Sequence, residues 1–537
     1  MNKKLTQLNH ILIGILLISQ LFIAMFQANI ARDVQLFGLS VFEVFNIVLS
    51  LICFGITVFV HSEKRIFIKY IPYEVVLGIY LILHIYNTYQ FDQTVYAAQT
   101  PSFLTEAYYI FRMFVVPMLL LFNIYYSGMQ KEQLIKMLEI FVFIVVVIMF
   151  ATNLLHVALQ NYSEEPIYAK LSFFDWFTFE NSWRYDYYRL TTKGWFLSGN
   201  QMAGILFMTF PVIVYRAYQK RSWFHYVTVG LQMMSMFMLG NKVSNLGCLL
   251  IVAIFGCLWA LFKALKHKEQ GIIKIMIIGI CFLILFPISP VGYMIRYQNV
   301  MKQNGILENQ KTLLEQAMEA EITEEMDAKE KAHIEKLKKD SLYFLKLDAN
   351  NLTEEQQAFI VKYIDEYHLF FGISPYITTS YDSLESASFW NRYMKEAKNN
   401  DYRAIKSAIL EDIYQRNQNS MDKYLGMGHT LNYIYTEADY SYQLYSYGIV
   451  GFVLLIGPYF YILLYVLVQG LKNFKNMFTL ESAMYFLAPV LGLGVAKFSG
   501  HIFENTMPLM VIGVVGGILL LHTRNQVAGS RKEENGR

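Results

Sequence analysis

The chain has 537 residues, 55% hydrophobic and 16% aromatic but only 16% charged, against roughly 25% in soluble domains. Residues 291–440 hold 17 basic and 24 acidic residues, whereas the remainder holds 28 basic and 18 acidic. That distribution excludes a soluble globular enzyme, a nucleic-acid binder and a disordered scaffold; it describes a polytopic membrane protein carrying one acidic, hydrophilic insertion.

Lys3 and Lys4 precede an apolar run from Ile11 to about Ala28, and Arg32-Asp33 follows without a small-residue cleavage site, so the run reads as a retained first helix. Runs of about 20 apolar residues, the length that crosses a bilayer, fall near 10–30, 39–60, 71–89, 106–126, 134–158, 195–215, 224–240, 243–262, 272–290, 441–468, 482–499 and 503–522. The expectation is an all-α polytopic fold of about 12 transmembrane helices, with spans seven and eight as a tight hairpin. About 20 Lys and Arg share the side of the N-terminus. The short loops opposite hold about six, namely Arg32, Lys170, Arg184, Arg189, Lys193 and Lys242. Positive residues stay inside, so both termini are expected in the cytoplasm and the large loop between spans nine and ten outside. The expected division is 1–290 for helices 1–9, 291–440 for the extracytoplasmic domain, 441–523 for helices 10–12 and 524–537 for a cytoplasmic tail. Cys53, Cys248, Cys257 and Cys281 all lie in apolar stretches, which leaves the insertion no disulfide or zinc framework.

The insertion itself reads as helical. Glu315 to Asp340 is charged on all sides, and Thr353-Glu-Glu-Gln356 has the form of a capping box opening a helix through His368. Phe389, Tyr393, Ile405, Ile409 and Ile413 recur at helical spacing, and Gly372 and Gly426-Met427-Gly428 punctuate the segment. The outer segment 159–193 is dense in aromatics, among them Phe173, Phe174, Trp176, Phe177, Phe179, Trp183, Tyr185, Tyr187 and Tyr188. It fits an interfacial belt or a surface that stacks on sugar rings.

No phosphate-binding glycine loop, zinc-ligand pair or nucleophile elbow is present. Instead, ionisable and amide groups gather at the expected outer helix ends: Arg189 and Lys193, Asn200, Lys242, Arg296, Glu437 and Asp439, and Lys497, His501 and Glu504. Each has an ordinary reading. Lys193, Lys242 and Arg296 can snorkel to headgroups, Arg189 can be plain surface, and Asn200 can glue helices. One of the two acids can cap a helix, and His429 and His501 can be satisfied interfacial histidines. Lys497 near the end of an apolar helix is the hardest to read so. Were the ends to converge, their cations would suit a diphosphate and a carboxylate beside them a general base for a sugar hydroxyl.

The stretch Arg189-Leu-Thr-Thr-Lys-Gly-Trp-Phe-Leu-Ser-Gly-Asn200 resembles a signature of the O-antigen polymerase and ligase family, the Wzy and WaaL type. Leu239-Gly-Asn-Lys242-Val-Ser-Asn, Tyr424-Leu-Gly-Met-Gly and Glu437-Ala-Asp439 followed by Tyr447-Gly-Ile-Val-Gly451 are similar to its later motifs, in the same order. The resemblance implies a GT-C-like fold and a metal-independent, cofactor-free, inverting glycosyl transfer between polyprenyl-diphosphate-linked oligosaccharides at the bacterial cell membrane. It implies roles for Arg189, Lys193, Lys242 and Arg296 on the diphosphate and for Glu437 or Asp439 as base. The implied partners are that oligosaccharide, membrane lipids and other polysaccharide-assembly proteins. Two departures stand out. Lys242 replaces an arginine, keeping charge but losing the bidentate fork. Glu437-Ala-Asp439 fills the place where ligases carry a histidine motif, with His429 the nearest histidine, which favours a polymerase over a ligase. A flippase of lipid-linked sugars is the rival of another class; its charged sites should lie deep in the membrane.

Overall fold

The computed structural model describes the chain except residues 1, 30–34, 37–38, 62–64, 97–100, 161–168, 181–185, 266–270, 304–310, 324–325, 374–376, 378–380, 382–385, 399–401, 429–433, 435, 499 and 536–537. Arg32, Asp33, Trp183, Arg184, Tyr185 and His429, singled out above, lie outside the described residues. Apart from a two-residue antiparallel pair, Gln35–Leu36 with Leu39–Ser40, the regular elements are helices.

Among the described residues, eight helices are long and apolar enough to cross a membrane: Lys3–Met25, Val41–Val60, Phe103–Tyr126, Lys131–Leu154, Lys242–Ala264, Asp439–Lys472, Leu480–Phe498 and Thr506–Gly529. The bent pair Ile273–Ile288 and Pro290–Val300, angled at 45°, makes a ninth if taken as one span. Three further expected spans form as the helices Ile71–Thr88, Gly199–Lys220 and Trp223–Met238 without meeting that standard. Their physical reasons differ. Trp223–Met238 has 16 residues, about 24 Å at 1.5 Å per residue, short of a hydrocarbon core of about 30 Å. Gly199–Lys220 opens on Gly199-Asn200-Gln201 and buries Thr209 and Arg216; a helix surrounded by protein has no need of a fully lipophilic surface.

The chain separates into two compact units. The first comprises Met1–Leu77, Tyr108–Tyr297 and Val453–Arg537. Its central element is Thr506–Gly529, whose apolar window is 89% buried, and helix Gly199–Lys220 packs along Leu480–Phe498. The second comprises Gly78–Ala107 and Gln298–Phe452. Here the expected capping box is present, with Thr353 and Gln356 exchanging side-chain and backbone bonds at the start of Glu354–Tyr367. The charged stretch after Glu315 is two helices, Leu313–Met318 and Ala328–Lys346, because Asp327 and Glu330 form a second capping box that restarts the helix. The core gathers Phe91, Val95 and Tyr96 with Ile360, Tyr363, Trp390, Ile409 and Ile413. Each such side chain contributes about 1.5–3 kcal/mol by leaving water.

Candidate functional site

In the first unit the cation-bearing segments meet around Gly240. This residue adopts φ +67°, and a Cβ placed on it would lie 2.2 Å from Thr191 Cγ2 and 3.3 Å from Pro290 Cβ. Only a glycine allows that approach. Thr191 stands two residues from both Arg189 and Lys193, Gly240 two residues from Lys242, and Pro290 opens the helix that carries Arg296. The N–H of Thr192 donates to Met238 O at 2.8 Å, which ties the first two segments directly. The motif residues after Gly240 make the turn possible. Asn241 caps the helix Lys242–Ala264 by accepting from Ser244 N at 2.8 Å, while Ser244 Oγ and Asn245 Nδ2 each donate to Met236 O at 2.7 Å. The open carbonyls of one helix end are thus satisfied by the next helix's first turn.

The cations differ in setting. Arg189, at the end of the 3₁₀ turn Asp186–Leu190, and Lys242, the first residue of its helix, are exposed. Arg296 is exposed and lies over the Tyr293 ring at 4.4 Å, donating to Pro287 O at 3.0 Å. Tyr293 in turn donates to the carbonyls of Trp176 and Phe179, and Trp176, fully buried, donates to Leu190 O. The aromatic segment therefore splits: Trp176 packs inside while Phe174 and Phe177 face outward. Lys193 is the unusual cation. It is 6% exposed, and its ammonium makes no hydrogen bond or ion pair among the described residues. Burial pushes it below the ordinary lysine range.

The remaining candidates of this unit are less distinctive. Asn200 is half-buried in the first turn of Gly199–Lys220, capped by Ser198. Lys497 is exposed. His501 holds a left-handed φ of 66° and pairs through Nδ1 with Glu504 at 3.0 Å.

Glu437 and Asp439 belong to the second unit, whose two glycine motifs cross backbone to backbone. A Cβ on Gly426, φ +82°, would lie 2.2 Å from Ser446 O, and one on Gly448, φ +65°, 2.4 Å from Tyr424 C. Gly448 interrupts the helix Asp439–Leu455, and Met427 N donates to Tyr445 O at 2.9 Å across the same crossing. Asp439 is the first residue inside that helix rather than its cap, because Ala438 O already accepts from Tyr442 N; Asp439 is fully buried. Glu437 has a left-handed φ of 52°, uncommon for a residue with a side chain. Its Oε2 accepts from Arg403 Nε at 3.0 Å and lies 2.9 Å from Nη2 in the same ion pair. Oε1 carries no bond among the described residues.

Ionisable groups inside the apolar runs or at their ends also pair, and a charge in a span is itself a signal. Glu43 pairs with Arg112 and Tyr108, beside a π-helical turn at Phe111–Val115 of the kind frequent at functional sites. Arg216 joins Glu132 and Glu139, and Lys131 joins Glu481. In the second unit His84 and Glu106 pair in the interior. Among the described residues no group of three or more His, Cys, Asp or Glu could hold a metal ion.

The model of a family described as O-antigen ligase like membrane protein matches residues 11–526. With the apolar helices, that match makes this a multi-pass membrane protein and points to a glycosyltransferase-type enzyme that transfers or polymerises lipid-linked glycans in a membrane. No curated protein and no solved structure matches the chain. With all but its extremities covered by that one model, the chain belongs to the O-antigen ligase like membrane protein family.

Proposed function

We propose that the protein is a polysaccharide repeat-unit polymerase acting at the outer face of the bacterial cell membrane, with both termini cytoplasmic, about twelve spans and the 291–440 insertion outside. The reaction joins two polyprenyl-diphosphate-linked glycans. The acceptor hydroxyl oxygen bonds to the donor's anomeric carbon as its bond to the diphosphate oxygen breaks, with inversion; the hydroxyl proton passes to a carboxylate and polyprenyl diphosphate departs. The observation that carries this reading is the convergence around Gly240 of segments bearing four cations, one of them the buried Lys193, whose ammonium has no partner among the described residues. An ammonium without a protein partner is suited to an anionic ligand, and positive charge near the leaving group stabilises the transition state.

Glu437 is the proposed base. Arg403 holds one carboxylate oxygen and leaves Oε1 open to a sugar hydroxyl, whereas Asp439 is fully buried at its helix start. Phe174 and Phe177, exposed on the aromatic segment, supply faces on which a sugar ring can stack. The family's description as ligase-like favours a second reading, transfer of a finished glycan to another acceptor. The size distribution of cell-surface glycan separates the two: loss of a polymerase leaves single repeats, and loss of a ligase leaves long lipid-linked chains. Long lipid-linked chains in the deletion strain would overturn the polymerase reading.

A further inference from the structure

One face of the helix Ile71–Thr88 is spent on two crossing segments more than 300 residues later in the chain. Tyr80 donates to Tyr447 O at 2.8 Å, taking a carbonyl beside the helix break at Gly448. Asn87 Nδ2 donates to Gly426 O at 2.9 Å and to Asp422 Oδ1 at 2.8 Å. Between them, His84 reaches Leu425 O through Nδ1 at 2.6 Å and Glu106 Oε2 through Nε2 at 3.2 Å. The His84 side chain is 0% exposed and that of Glu106 3%. Gly428 closes the site from the other side, since a Cβ there would lie 2.9 Å from Glu106 Oε1 and 2.6 Å from Thr88.

The protonation state follows from these partners. A carbonyl oxygen only accepts, so Nδ1 carries a proton and donates it to Leu425. Nε2 and Glu106 Oε2 then share one proton. Placed on either atom it leaves the pair neutral overall, as an imidazolium with a carboxylate or an imidazole with a carboxylic acid.

We propose that His84 and Glu106 are positioning residues for glycosyl transfer: their one-proton pair pins the Leu425–Gly428 turn against Ser446–Gly448. That contact anchors the far end of the segment 439–447, about 12 Å of rigid helix, and with it the placement of Asp439 and of Glu437 just before it. The assignment rests on the proposed transfer reaction for its consequence, and on geometry alone for the pinning.

The test uses full-length protein in nanodiscs with a synthetic lipid-linked repeat, and hydrogen–deuterium exchange on the same samples. Glu106→Gln keeps a neutral hydrogen-bonded pair, its amide donating to Nε2, and is expected to stay within about threefold of wild type. His84→Phe removes the bonds to Leu425 O and Glu106 Oε2. It should lower kcat about 30-fold with KM nearly unchanged, because misplacing a base weakens the transition state and not substrate binding. It should also raise amide exchange in 424–428 and 445–448 about tenfold. The double variant His84→Phe/Glu106→Leu replaces both polar side chains by apolar ones, so it restores protein level while both defects persist. Wild-type kcat and exchange in the double variant would overturn the proposal. A wild-type protein that builds no polymer would instead sink the polymerase reading, because the exchange contrast is measured on the protein alone.

Discussion

Replacing Lys193 with Met separates a ligand-binding cation from a structural one. The side chains have similar volume, so packing is retained while the buried charge goes. An ammonium taken from water without a partner costs several kcal/mol, and Lys193 is only 6% exposed with no hydrogen bond or ion pair among the described residues. Lys193→Met should therefore stabilise the unliganded protein, by about 1–3 kcal/mol. It should at the same time lower polymerisation by about 10²–10³, the usual cost of removing one group aimed at developing negative charge. Pyrophosphate at about 100 times its Kd should stabilise wild type by about 2.7 kcal/mol and the variant much less. Linkage supplies a further signature. The folded-state value of Lys193 lies below the unfolded value near 10.5, so between the two the unfolded chain binds more protons and stability rises with pH. The Met variant should lose that slope. Thermal inactivation in detergent, with and without pyrophosphate and across alkaline pH, reads the three stability effects, and extension of a synthetic lipid-linked repeat reads the loss of polymerisation. A variant that is less stable than wild type yet polymerises normally would show that Lys193 belongs to the fold and refute the reasoning.

Glu437→Gln, which keeps shape but removes charge, should give folded protein with no polymer, and Asp439→Asn should be milder; near wild-type extension by Glu437→Gln in a purified assay would place the base elsewhere, with His501 next. Gly240→Ala should cost at least about 1–2 kcal/mol from its left-handed backbone, besides the clash with Thr191, and abolish long glycan; normal chain length would dissociate the convergence from activity. Lys242→Ala should shorten glycan, while Lys242→Arg should be tolerated, since a diphosphate accepts a guanidinium fork; equal chain length in all three proteins would mark Lys242 as a snorkelling residue. In a cysteine-free background, Gln316→Cys and Gln356→Cys should react with an impermeant thiol reagent on intact cells and Gln219→Cys should not, and the reverse pattern would invert the proposed topology.

Much of the helix content was legible because it is encoded by spacing along the chain. Apolar runs near 20 residues specified the eight helices that qualify as spans, and Thr353 with Gln356 announced its own helix. Such signals involve residues at most a few turns apart, and the solvent, lipid or water, reads them directly. The charged stretch after Glu315 was less legible: its charge ran on without a break, so the capping box at Asp327 that restarts the helix was the only local mark of two elements.

The composition of the candidate site was also readable from the sequence, since cations, amides and acids at helix ends form a recognisable inventory. Its pairings were not. Glu437 takes Arg403 as partner 34 residues away, His84 takes Glu106 across 22 and Leu425 across 341, while Lys193 is left with none among the described residues. Whether a lysine at a helix end snorkels into water or stands buried depends on where other backbones run. That is decided here by Gly240, where the missing Cβ lets Thr191 and Pro290 close in, and by Gly426 and Gly448, where it lets two backbones touch. Sequence thus determined a membrane-spanning helical chain and its stock of reactive groups. Only tertiary structure decided which groups meet, because close approach of distant backbones has no periodicity in the sequence to reveal it.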